Sequence, residues 1–406
     1  SEILLIVYMV QTGFYNLSKF RTLGDVEQQK VWNEAKSLYE YVDGDRSLII
    51  LLYGIVTLSL ILVFFLIAKS SLKQAYRLEC QSKKGEQILT LKQELKELLN
   101  GNLHITLLTF PVLGVLMFTI LPLVFMISMA FTNYSVEGNK LVLFDWVGLE
   151  NFRKIFDFGG SLGQTFWSVL GWTMVWAVVA TFSNYILGML LALFINWKEI
   201  RAKKMWRFCF ALTVAIPHFV TLLIIKSMLQ PEGAVNILLR NLGLIGATQS
   251  LPFFTDATWA RVVVILINIW VGVPYTLLQV TGILQNIPTE LYEAARVDGA
   301  GPIVTFMKIT LPYMLFVTTP YLITTFTGNV NNFNVIFLTT EGLPRSVGST
   351  AGKTDLLITW LYKLTIENQY FDVGAVVGIM TFVTLTIVSL VTFTFSGSNR
   401  NEEAFR

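Results

Sequence analysis

Seven apolar stretches constrain this chain more than any other feature in it. They run over 47–68, 103–130, 164–195, 207–229, 259–284, 302–326 and 373–395. Each is long enough to cross a bilayer as a helix, which takes about 20 consecutive apolar residues. An eighth stretch, 3–14, is too short for that and reads as the tail of a truncated span; it lacks the basic n-region and small-residue cleavage site of a signal peptide. Only 14% of the residues are charged and 54% are hydrophobic, whereas soluble chains carry about 25% charged residues. The fold class that follows is an all-α polytopic membrane protein.

The connectors sort by charge. Residues 69–102 carry seven Lys or Arg and 196–206 carry four, which places both on the cytoplasmic side. Strict alternation then puts 290–308 and both termini inside as well, and sends 18–46, 132–163, 230–258 and 327–372 outside. Within the inner connector, Leu72, Tyr76, Ile88, Leu91, Leu95 and Leu98 alternate with Lys and Glu as in an amphipathic helix lying on the membrane or a partner. Pro111, Pro122, Pro217, Pro274, Pro312 and Pro320 interrupt the spans, and such breaks survive in lipid only where neighbouring helices or a cavity satisfy the freed backbone groups. A net charge of +3 gives no footing for a nucleic-acid partner. Cys80 and Cys209 belong to no metal or disulfide pattern.

Residues 348–354 read Gly-Ser-Thr-Ala-Gly-Lys-Thr and imitate a phosphate-binding loop. The spacing is one residue short, and no apolar strand precedes it. Any energy from ATP would therefore have to arrive through a separate ATPase.

Between the fifth and sixth full spans the chain reads Leu-Tyr-Glu293-Ala294-Ala295-Arg296-Val-Asp298-Gly299-Ala-Gly-Pro302, then Ile309-Thr-Leu311-Pro312. The first part favours helix, the Gly-Ala-Gly-Pro cluster forces a turn, and a second helix starts at Pro302. Small Ala294 and Ala295 keep the surface slim, while Glu293, Arg296 and Asp298 give it charges for orientation. The run resembles the EAA motif of permease subunits of ABC importers: Glu293, Ala294, Ala295, Gly299, Ile309, Leu311 and Pro312 match at the family spacing. The resemblance implies a MetI-like core over 103–396 preceded by N-terminal transmembrane helices over 1–68, a cytoplasmic connector over 69–102 and a cytoplasmic tail over 397–406. It also implies that 290–312 is a coupling loop, with Glu293, Ala294, Ala295, Arg296, Asp298, Gly299 and Pro312 meeting a cytoplasmic ATPase.

From about residue 103 onward the chain is similar to oligosaccharide permeases, and within these to the MalF-type maltose/maltodextrin group. Two segments suit a sugar: Trp270-Val-Gly272-Val-Pro274-Tyr275, and Thr325 to Asn332 with its three amides. Aromatic faces stack on pyranose rings, and amides both donate to and accept from hydroxyls. The resemblance implies that Gly272, Tyr275, Thr325, Gly328, Asn329 and Asn332 hold the substrate; Gly328 departs from the family, which often has an aromatic there. The compact outer segment 132–163 also departs from the enterobacterial maltose permease, which carries an extra domain at that place. His218 and Lys226 have no acidic neighbour in sequence and read as a packed and a snorkelling side chain.

The expected protein is thus a multi-pass permease of the bacterial cell membrane, without catalytic or metal-ligating residues or a cofactor of its own, ATP and Mg belonging to the partner. Its expected partners are a second permease subunit, a cytoplasmic ATPase dimer, an extracellular or periplasmic sugar-binding protein, lipid and the oligosaccharide, most readily maltodextrin, with a raffinose-type or multiple-sugar permease as the alternative. An ion-coupled secondary transporter would require intramembrane carboxylates or inverted repeats, and an enzyme would require a His/Asp/Glu cluster at bilayer depth. The sequence offers none of these.

Overall fold

The computed structural model describes residues 6–27, 29–42, 44–85, 90, 93, 96, 99–197 and 199–395. In chain order its main helices are α1 (Ser47–Lys83), α2 (Leu103–Met129), α3 (Ser161–Asn196), the bent pair α4 (Lys203–Ala215) and α5 (His218–Met228), α6 (Ala257–Gln285), the short α7 (Thr289–Val297), a run from Pro302 whose body is α8 (Leu311–Val330) and whose end is α9 (Phe333–Thr339), and α10 (Phe371–Phe395). Among the described residues six helical runs are long and apolar enough to span a membrane, and the bent pair makes a seventh. Each of the seven full-length apolar stretches read from the sequence falls on one of these. The short N-terminal stretch is helical from residue 6 and ends at Lys19.

Residues 1–153 with 368–376 form one compact unit. Its core is Leu23, Ile50, Leu51, Ile55 and Phe144. Gly54 leaves the notch on α1 that the Phe20 ring fills, since a Cβ there would lie 2.1 Å from it. Just before α1, buried Asp45 accepts from Lys19 at 2.7 Å and from the Asp25 and Val26 amides at 3.1 Å. Burial pushes that carboxyl up, but these donors outweigh it and hold it below its ordinary value. The loop between the N-terminal helix and α1 carries an antiparallel hairpin that no sequence pattern announces, β1 (Gln29–Asn33) with β2 (Leu38–Val42). Trp32 opposes Tyr39 across it with ring centroids 4.9 Å apart. α1 continues past the apolar stretch to Lys83, with Leu72 and Tyr76 exposed. The expected amphipathic positions Ile88, Leu91, Leu95 and Leu98 lie outside the described residues, as does the tail 397–406. No residue of α2 is buried by the rest of the chain.

Residues 154–367 with 377–406 form the second unit, built on α3 and α6. α3 has 36 residues, about 54 Å at 1.5 Å per residue. The two helices approach through reciprocal glycines. A Cβ on Gly188 would sit 2.6 Å from the Thr276 Cβ, and one on Gly272 would sit 2.2 Å from the Asn184 amide. Without a hydrophobic driving force between helices in lipid, such small-residue contacts let backbones pack closely enough for dispersion to hold them. One core cluster, around Trp176, Val264, Ile267 and Ile336, lies toward one end of the pair; a second, around Tyr185, Met189, Leu277, Val280 and Met314, lies toward the other. α8 joins them through Tyr185 and Thr318, whose hydroxyls are 2.7 Å apart.

The proline breaks follow local sterics. Pro217 turns α5 by 86° from α4, with Ile216 extended before it. The π-helical turns Leu116–Ile120 and Phe306–Thr310 end two residues before Pro122 and Pro312, where a wider turn relieves the clash between the proline ring and the carbonyl four residues earlier. Two sequence expectations change here. The interruption expected at Pro217 divides the stretch 207–229 into two helices at a large angle rather than a single span, and Lys226 pairs with Glu341, 115 residues away, rather than snorkelling alone.

The account predicts that Gly188→Leu, by forcing α3 and α6 apart, lowers the stability of the purified protein by about 1–3 kcal/mol, read as a fall in the midpoint of thermal unfolding.

Candidate functional site

The loop after α6 closes by backbone geometry alone. α7 ends in a Schellman motif: the Ala300 amide donates to the Ala295 carbonyl at 2.8 Å and the Gly299 amide to Arg296 at 3.0 Å. Gly299 takes φ of +72° at the position after the cap, where an L side chain costs roughly 1–2 kcal/mol. Gly301 and Pro302 then open the next helix, Pro302 standing where a missing N–H is harmless. The loop is seated by buried Ile287 and Ala295, and by the Tyr292 hydroxyl, 3.1 Å from Thr310.

Outward, Glu293, Ala294, Arg296, Asp298 and Pro312 are exposed, while Ala295 faces the bundle. The structure adds what the motif did not: Val297 is 88% and Ile303 79% exposed, next to Val304 and Met307. Four exposed apolar side chains thus accompany three charges along this segment. The signal was present in sequence as apolar residues on the polar side of a turn.

The second candidate region follows helical periodicity. Asn268, Gly272 and Tyr275 share one stripe of α6, and Thr325, Gly328, Asn329 and Asn332 share one side of α8 and its end. The structure separates them by role. Asn329 is buried; its side-chain amide donates to the Thr181 hydroxyl at 2.9 Å and its backbone carbonyl accepts from the Trp176 indole at 3.0 Å. Asn332 caps α9 by accepting from the Val335 amide and reaches Asn268 at 3.3 Å. Gly272 is taken up by helix packing against Asn184. Thr325 is half-buried, and Gly328 is exposed with no atom within 4 Å of where its Cβ would be. The space that an aromatic would fill at that position is open.

Tyr275 stands apart from these amides. It is 46% exposed and lines a cavity of about 120 Å³ with Trp270, Pro274, Thr221 and His218. Pro274 has no N–H, so the Trp270 carbonyl loses its usual donor. The Nε2 of His218 is buried there without a hydrogen-bond partner, as are Oδ1 of Asn184 and Nδ2 of Asn268 elsewhere. His218 was expected to be packed; it borders this cavity at the α4/α5 break instead. Asn268 and Thr221 were missed, although Asn268 lies one turn before Gly272. α6 and α8 contain no acidic residue, so the site offers uncharged donors, acceptors and aromatic faces.

Residues 184–400 match the family described as "Binding-protein-dependent transport system inner membrane component". The chain belongs to that family. It is 37% identical over 374 residues to the maltodextrin transport system permease protein MdxF of Bacillus subtilis, covering 88% of this chain and 84% of that one. It is 34% identical over 392 residues to the galactooligosaccharides transport system permease protein GanP of the same organism, covering 96% and 92%. Among solved structures, a bacterial ABC transporter involved in the import of alginate has the same fold, with a TM-score of 0.62 at 22% identity, covering 77% of this chain and 100% of that one. The family match contains both candidate regions of this permease, the α7 loop and the α6/α8 stripes.

Asn329→Ala is expected to lower the stability of the purified permease by about 1–3 kcal/mol, because it strands a buried partner, whereas Tyr275→Ala, at an exposed ring, leaves the unfolding midpoint where it was. Thermal unfolding of the two variants side by side checks this.

Proposed function

We propose that this permease is the membrane subunit of an ABC importer for oligosaccharides, maltodextrin foremost, that the α7 loop receives the motion of a cytoplasmic ATPase, and that sugar passes along the α6 and α8 stripes. The observation that carries the reading is near-full-length similarity to two permeases both named for oligosaccharides, in a chain whose open cavity offers aromatic and neutral polar groups and no carboxylate. Proton or sodium coupling would call for the latter. The positive connectors 69–102 and 196–206 set the orientation, with α7 toward the cytoplasm and the Ser161 end of α3 outside.

The mechanism is alternating access. A binding protein delivers the sugar outside, this chain and a second permease subunit enclose the path, and ATP binding in the partner draws the α7 loops together. Val297 and Ile303 seat in the ATPase groove while Glu293, Arg296 and Asp298 set the register. Because α7 is bonded to the foot of α8 through Tyr292 and Thr310, displacement of the loop moves α8 against α3, changing the width of the path between them and the partner permease. Tyr275 stacks on a pyranose face, and His218 and Thr221, which line the same cavity, supply bonds to hydroxyls. The coverage of the match to the galactooligosaccharide permease, 96% of this chain, supports a second reading in which galactooligosaccharides are the main cargo.

Proteoliposomes holding the full complex, with binding protein outside and ATP inside, decide between them. Uptake of labelled maltotriose should require ATP and be displaced by unlabelled maltodextrin more strongly than by galactobiose; uptake that persists without the ATPase would refute the reading. In the same vesicles Gly299→Val should cut ATP-driven uptake by about tenfold, the equivalent of 1–2 kcal/mol of backbone strain, with the complex still assembled. Tyr275→Ala should raise the sugar concentration for half-maximal transport by about tenfold, the scale of a lost stacking contact.

A further inference from the structure

At the end of α3 and α6 remote from the α7 loop lies a cavity of about 350 Å³, walled by Ser168 and Trp172 of α3, Arg261 of α6 and the loop from Ser346 to Asp355. This loop contains the run that imitates a phosphate-binding motif. It is no phosphate cradle: the amides of Ser349, Ala351, Gly352, Lys353 and Thr354 already donate within the loop, to Ser346, the Ser349 hydroxyl, Asp355, Pro344 and Gly342. What the loop does is place cations.

Arg261 lies over the Trp172 ring with its Cζ 4.5 Å from the centroid, and its Nε donates to the Lys353 carbonyl at 3.0 Å. The stack and the single bond fix the guanidinium plane. Its two terminal nitrogens and the Lys353 ammonium have no acceptor among the described residues. The one acid in the wall, Asp355, does not balance them. Its carboxylate is fully buried and already holds Lys363 at 2.7 Å, the Gly352 amide at 2.6 Å and the Thr359 hydroxyl at 2.9 Å. Two positive charges therefore stand unopposed in a concave site rimmed by hydroxyls. Neutral sugar hydroxyls would leave those charges uncompensated, whereas a carboxylate pairs bidentately with a fixed guanidinium.

We infer that this cavity is a docking socket for an acidic side chain of the extracytoplasmic binding protein, with Arg261 as the bidentate anchor and Lys353 as the steering charge. The inference rests on the importer reading above, which supplies a protein partner at this end of the molecule. Its location beside Trp172 ties docking to the α3–α6 pair, so that a seated binding protein presses on α6, which carries one of the two sugar stripes, and on the helix packed against it.

The test uses the complete transporter in nanodiscs of neutral lipid, titrated with the maltodextrin-binding protein of the same cell while ATPase activity is followed. Lys353→Glu should raise the half-saturating binding-protein concentration by about tenfold or more and Lys353→Gln by a few-fold, with the maximal rate kept, since a rim charge acts mainly on association. Arg261→Gln should raise it at least as far. Added salt should weaken docking of the wild type more than of Lys353→Gln. The exposed Lys353 ammonium makes no hydrogen bond or ion pair among the described residues, so its variants are expected to fold as the wild type does. Unmoved half-saturation in all three variants overturns the inference. So does a reduced maximal rate at unchanged half-saturation, which would put the cavity on the sugar path, and so does an effect confined to nanodiscs of anionic lipid, which would assign it to a headgroup. A wild-type complex that the binding protein does not stimulate overturns the importer reading with it; a stimulated wild type with unmoved variants overturns the socket alone.

Discussion

The close approach of α3 and α6 is the contact on which the second unit depends. Asn184 and Gly188 on one helix interlock with Gly272 and Thr276 on the other, each glycine receiving a side chain where a Cβ would collide. In a bilayer the apolar surroundings of a helix are as comfortable in lipid as against protein, so helices pair by fit rather than by escape from water. The two glycines supply that fit. With the pair locked, the cluster around Met189, Leu277 and Met314 forms beneath it and seats the α7 loop, while Trp172 and Arg261 meet at its other end. The packed pair thus connects the two places at which partners are proposed to act.

Buried polar groups give the pair its functional edge. Asn184, Asn268, Asn329 and Thr181 stand within or beside the pair, and two of these amides keep an unpartnered atom. Such groups are costly in a low-dielectric interior unless bonded. Their clustering beside an open position at Gly328 fits a path whose occupant carries hydroxyls. The Pro217 break and Pro274 work in the same direction, since each frees backbone carbonyls where the chain lines a cavity rather than lipid.

The sequence made the spans and the turn legible for simple physical reasons. A run of twenty apolar residues has few alternatives to a transmembrane helix, and Gly299-Ala-Gly-Pro302 has few alternatives to a capped turn with a new helix behind it. What it concealed depends on direction or distance. Hydropathy over 207–229 counts apolar residues but cannot register that Pro217 turns the chain through 86°. The Lys226–Glu341 pair joins residues that no local window sees together. The hairpin 29–42 is short and polar enough to pass for loop. At the candidate sugar site, periodicity placed Asn329 and Asn332 on one side of the chain, but only packing divides them into a buried tie to Thr181 and a cap for α9. It also took the fold to bring His218 beside Tyr275, because the two lie on elements that meet only through the 86° bend at Pro217, whose size no sequence pattern gives.

Contact between the α7 loop and the ATPase is the claim from which the rest of the mechanism follows. A single cysteine in place of Ala294, in a version of this chain without Cys80 and Cys209, paired with cysteines along the ATPase groove, measures it directly. The account predicts that this position crosslinks to the ATPase in the assembled transporter, that the yield changes when ATP is bound, and that the crosslinked complex no longer transports until it is reduced. Absence of crosslinks at 294, with crosslinks formed instead from the 346–353 loop at the other end of the molecule, would contradict it.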